Sequence, residues 1–176
     1  MATDTRLSIP VDAPSIARRD TTRLYQEGMV AGVLGALAIA LWFLLLDTLS
    51  GRPLWTPTVL GTAIFRGGAG LGTLETLPVS LEMVLMFTWV HGLVFVGLGG
   101  VVARLLDHVE RHPNLGFGVL LLFVVFQFGF IVAATVVAAP VLQVLSSWSI
   151  LVANLLAAAA MIAYFRRRHP NLHVSP

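Results

Sequence analysis

Three polar side chains stand inside long apolar runs, and they are the first places to look for chemistry. They are His91 in "TWVHG", Gln127 in "VVFQFGF" and Asn154 in "LVANLL". At a rise of 1.5 Å per helical residue, His91 lies about 14 Å below Glu82 and Asn154 about 12 Å below Ser146. Gln127 lies about 18 Å above Leu115. With an apolar membrane core about 30 Å thick, all three fall near one midplane. Polar groups at that depth are costly, so they serve either function or helix cohesion. His91 could carry a proton, since imidazole titrates near neutral pH, with Glu82 or Asp47 at the outer boundary as relay partners. It could also be an axial ligand to haem or a chlorophyll-like ring. It is the only histidine inside a run, so a bis-histidine site would need a second chain. The competing reading of all three is interhelical hydrogen bonding, at roughly 0.6–2 kcal/mol each.

Other chemistries are excluded or disfavoured by residue type and spacing. The chain has no cysteine, which removes disulfides, thiolate metal sites and cysteine nucleophiles. No HExxH, GxSxG or paired intramembrane aspartate occurs. The serines of "SSWS" have no base beside them. "RGGAGLG" lacks the Lys-Ser/Thr ending and the preceding strand of a phosphate loop. His108 and His112, and His169 and His173, share an i, i+4 spacing. Pro170 interrupts the second pair and no acidic pattern completes a metal site. This reading leans away from an enzyme.

The elements that must position these residues are membrane helices. Of 176 residues, 57% are hydrophobic and only 11% charged, with mean hydropathy +0.86. A soluble surface usually carries about 25% charged residues. Four apolar runs reach the roughly 20 residues needed to cross a bilayer: 28–49, 83–106, 116–139 and 146–165. The expected fold is therefore an all-α integral membrane protein, a bundle of four transmembrane helices. An arm of residues 1–27 precedes the membrane domain 28–165, and a basic tail of residues 166–176 follows it. Within the outer loop 50–82, "TPTVLGTAIF" predicts a short interfacial or re-entrant helix, with Thr56 as N-cap and Pro57 at its first position.

All eleven basic residues are arginine, and nine fall in the arm, at the second loop region (Arg104 and Arg111) and in the tail. That asymmetry predicts cytoplasmic N- and C-termini in a bacterial cytoplasmic membrane. Arg166, Arg167 and Arg168 would meet lipid headgroups. "RHPNL" occurs at both Arg111–Leu115 and Arg168–Leu172. Both copies read as helix stops at that surface, since arginine offsets the helix C-terminus and proline cannot continue the helix. A net charge of +2 and the lack of a basic face interleaved with aromatics argue against nucleic acid.

For packing, Gly28, Gly32, Ala36 and Ala40 form an i, i+4 stripe of small residues, and Gly99 and Ala103 share the same spacing. Such stripes let helix backbones approach closely, either inside one bundle or across a homodimer. The functional expectation is a non-enzymatic membrane subunit, accessory or assembly in kind, that docks a membrane partner. The alternatives are an oligomeric transporter or channel lined by His91, Gln127 and Asn154, and pigment binding through His91.

Overall fold

A computed structural model describes residues 13–67, 77–111 and 146–168, together with Val124, Phe128, Gly129, Ile131 and Val132. Most of the third run, 116–139, including Gln127, lies outside the described residues. Among those described there are helices and no strands: α1 (Ala13–Leu49), α2 (Trp55–Phe65), α3 (Leu81–Arg111) and α4 (Ser147–Arg168). Three stretches are long and apolar enough to cross a membrane: Thr22–Leu49 of α1, Leu81–Arg104 of α3 and Ser147–Arg168.

α1 runs on through the boundary drawn at residues 27 and 28. Once a helix is nucleated, each further residue adds a bond at little cost, and nothing after Pro14 in the arm breaks it. α3 begins at Ser80, whose Oγ accepts the Met83 N–H at 3.4 Å, with Glu82 in the favoured first turn. α3 and α4 end at Arg111 and Arg168, the first residue of each "RHPNL". The remainder of both copies lies outside the described residues.

α1 is the hub. α3 and α4 pack against it, each antiparallel to it, so they run parallel to one another and both end at the end marked by Arg23. The α1–α3 seam is backbone on backbone. A Cβ placed on Gly28 would meet the Gly99 carbonyl oxygen at 2.6 Å and Ala103 Cβ at 2.9 Å. One on Gly32 would strike the Phe95 carbonyl. Such closeness supplies cohesion through van der Waals contact between backbones. Ala36 continues the seam, but Ala40 is exposed. At 3.6 residues per turn, an i, i+4 stripe rotates about 40° per step, so by its fourth member it has turned away. α4 meets α1 with its alanine face: Ala153, Ala157 and Ala158 are buried, and Met161 reaches Gly35 beside Phe95.

α2 lies across the other end of the bundle. Trp55, Val59 and Ala63 form a small core with Ile150 of α4 and Phe43 of α1, while Gly61 sits against Met83 of α3. The helix starts at Trp55 rather than after a Thr56 cap, and the residue before it, Leu54, is left-handed at φ 64°. Pro57 consequently falls within the first turn, where its missing N–H costs nothing. Gly51, at φ 72° with open space around its α-carbon, turns the chain out of α1. Gly51→Ala should lower stability by about 1 kcal/mol through backbone strain alone. Thermal unfolding in detergent measures this, and an unchanged midpoint would contradict it.

Candidate functional site

Among the described residues the bundle carries three polar clusters, one at each end and one in the middle. The one at the α2 end is centred on Asp47, which is 6% exposed. Its Oδ2 accepts the backbone N–H of Thr56 at 2.7 Å and its Oδ1 accepts the Thr56 hydroxyl at 2.6 Å. A carboxylate from α1 thus caps the start of α2, where unpaired N–H groups and the helix dipole favour negative charge. Thr58 extends the cluster. Its hydroxyl donates to the Leu54 carbonyl at 2.8 Å and accepts the Ser80 N–H at 3.3 Å, tying α2 to the start of α3. Thr62 donates to the Thr58 carbonyl.

Around this cluster stand aromatic and charged groups suited to a membrane boundary. Trp42 Nε1 donates to the Ser149 carbonyl at 3.0 Å, and its ring meets Trp148 edge-on with centroids 6.0 Å apart. The Arg52 guanidinium sits 4.4 Å from the centre of the Trp55 ring. Glu82 is exposed and paired with Arg66 at 3.3 Å. An ion pair this open contributes only about 0–1 kcal/mol.

The middle cluster is His91. Its Nε2 lies 3.3 Å from the Ala36 carbonyl oxygen on α1. A carbonyl can only accept, so the bond forms when Nε2 carries the proton. Phe87 and Phe95, one turn to either side on α3, flank the ring at centroid distances of 5.5 and 4.8 Å. The imidazole therefore joins α3 to the backbone of α1. Asn154 is buried on α4, between the Ser149 and Met161 contacts with α1. Gln127 and the side chains of His108, His112, His169 and His173 lie outside the described residues.

The third cluster lies at the basic end. Arg23 Nε donates to Glu27 Oε1 at 3.3 Å, and Glu27 is 8% exposed. Arg168 sits 5.8 Å from the Tyr164 ring centre, and Arg104 donates to the Tyr25 hydroxyl. Arg166 and Arg167 are exposed beside Arg168. Residue types alone did not single out Arg23, Glu27 or Tyr164. The i, i+4 arginine–glutamate spacing at the foot of the first run was the available signal.

Chemically, the Asp47 and His91 arrangements are joints between helices, and at the basic end Arg104 joins α3 to Tyr25 of α1. Among the described residues no three histidine, aspartate or glutamate side chains gather as a metal site. Compared with models of protein families, with curated proteins and with solved structures, this chain matches none.

Proposed function

We propose that this protein is a non-enzymatic membrane subunit of accessory or assembly kind, seated in a bacterial cytoplasmic membrane with both termini on the cytoplasmic side. The observation that carries the reading is how the deep polar groups are used. His91 bonds the backbone of a neighbouring helix between two phenylalanines, and Asp47 commits both oxygens to the start of α2. Both groups are used to join helices, which supports a structural role for them over a catalytic one. The gathering of Arg23, Arg104 and Arg166–Arg168 at one end, with Arg52 and Arg66 at the other, supports the orientation. α3 ends at the basic end and α4 starts at the opposite one. That arrangement supports reading the apolar run at 116–139 as a fourth span.

The partner surface in this reading is the outer rim. α2 turns Ile64 and Phe65 outward, and Leu81, Leu85 and Trp89 of α3 continue the apolar surface into the lipid-facing zone. α2 is the interfacial helix of this arrangement, clamped by Asp47 so that its outward face is fixed in place. The test is isolation from native membranes in mild detergent, followed by mass measurement. The expected particle holds the 18.9 kDa chain with a second polypeptide. A stable chain with no second copy or partner would contradict the proposal.

The transporter alternative places His91 in a pathway. It is decided by proton or ion flux in liposomes: a wild-type flux that His91→Ala removes would favour it over the subunit reading. In the pigment alternative, ligation through Nε2 would first require His91 to give up Ala36. An absorbance spectrum of protein from pigment-supplied cells decides that case.

A further inference from the structure

We propose that the cleft between α1 and α4 at the basic end is a binding site for a single anionic phospholipid. The proposal rests on the reading that this end faces the cytoplasmic leaflet. The cleft holds about 430 Å³ and opens to the outside. Its α1 wall comes from Arg23, Glu27 and Val30, which share one helix face at i, i+4 and i+7, with Met29 beside them. Its α4 wall comes from Tyr164 and Arg168, one turn apart.

The charges select the ligand. Two guanidinium groups meet one carboxylate in the cleft, and Glu27 is already paired with the Nε of Arg23. The Nη groups of Arg23 and the guanidinium of Arg168 are then the donors on offer, in the planar fork that suits a phosphate. Tyr164 underlies Arg168 and orders it. Glu27 in turn holds Arg23 at the cleft edge, so the carboxylate positions a donor instead of repelling the ligand.

The apolar half of the cleft selects a lipid over a free phosphate. Met29 and Val30 are both about half exposed, and Val33, Leu34 and Leu37 continue an exposed apolar track along α1 toward the middle of the membrane. An acyl chain could follow that track from a phosphate held between the arginines. Arg23 lies one residue inside the apolar stretch that begins at Thr22, which is headgroup depth for a spanning helix.

The experiment reconstitutes the full chain into nanodiscs of phosphatidylcholine with about one-fifth phosphatidylglycerol and counts retained lipids by native mass spectrometry. The wild type should keep one lipid, and in at least about four particles of five it should be phosphatidylglycerol, against its one-fifth share of the bilayer. Arg23→Gln with Arg168→Gln should bring the enrichment down to that share. Arg166→Gln with Arg167→Gln removes the same charge from the same surface outside the cleft and should keep most of it. Arg23→Lys with Arg168→Lys should fall between, and helical circular dichroism checks that all variants are folded. Equal loss in both glutamine pairs, or no enrichment in the wild type, would overturn the site. Displacement of the lipid by millimolar inorganic phosphate would assign the cleft to free phosphate and overturn the lipid proposal. Extraction of the wild type from membranes by alkaline carbonate would overturn the membrane reading and this site with it. Firm insertion without enrichment would remove the site alone.

Discussion

Gly32→Val should pull α1 and α3 apart, while Gly92→Val, on the same helix pair, should leave them together. The Cβ added at residue 32 has to occupy the space of the Phe95 carbonyl and comes within 3.1 Å of Val96 Cα, before the two methyls are counted. Those atoms are backbone and cannot rotate away as a side-chain tip could. Overpacking of a tight contact costs roughly 1–3 kcal/mol, and a backbone obstacle should place Gly32→Val at or beyond the top of that range. A Cβ added at Gly92 would meet nothing within 4 Å, so that substitution should stay within about 0.5 kcal/mol of neutral. Separation of the helices also strips His91 from Ala36, so the damage spreads to the middle cluster. Unfolding in mixed micelles, followed by circular dichroism, compares the two variants. Equal losses would mean that α1 and α3 do not meet along the Gly28–Gly32 face.

Asp47→Ala should release α2 from the end of the bundle. The substitution removes two hydrogen bonds to a carboxylate, each worth roughly 1.5–3 kcal/mol, and leaves the Thr56 N–H and hydroxyl buried without acceptors. The expected loss is about 3 kcal/mol, concentrated on Trp55–Phe65 and leaving α1, α3 and α4 assembled through their own seams. Asp47→Asn should cost less. Its oxygen can still accept the Thr56 N–H, and its amide can donate to the Thr56 hydroxyl. Hydrogen exchange resolved by peptide separates a local opening from a global one. Faster exchange across 55–65 alone is the expected pattern, in the order alanine, asparagine, wild type. Uniform acceleration along the chain would show that Asp47 supports the whole bundle instead.

The contrast between these two sites explains what could be read from residues alone. The runs behind α1, α3 and α4 were legible because lipid demands unbroken apolar stretches with every backbone group bonded within the helix. The stripe of small residues was visible, and so was its spacing. What the spacing left open was the rotation that carries Ala40 off the seam while Gly28 and Gly32 stay on it. α2 was visible as a segment too apolar for a solvated loop, but its start was misplaced. Thr56 has the chemistry of an N-cap, yet here it is itself capped, and the acceptor is the carboxylate of an aspartate on another helix. Local pattern cannot encode a partner that arrives through tertiary folding. His91 raises the same difficulty in a sharper form. Its partner is a backbone carbonyl, which every residue has, so no side-chain identity could have pointed to Ala36. The Arg23–Arg168 cleft joins the two ends of the chain and became visible only once α4 was laid against α1.

In the proposed function the rim around α2 meets another polypeptide while the rest of the apolar surface meets lipid. A photoreactive amino acid placed at Phe65 and, separately, at Leu41 tests it in intact membranes. Both positions are exposed, at 38% and 63%, but Phe65 closes the clamped helix at the rim and Leu41 lies on an exposed apolar side of α1. Illumination should yield a discrete, heavier product from residue 65, containing a second polypeptide. From residue 41 it should yield only lipid adducts of the 18.9 kDa chain. Lipid adducts alone from both positions would contradict the claim.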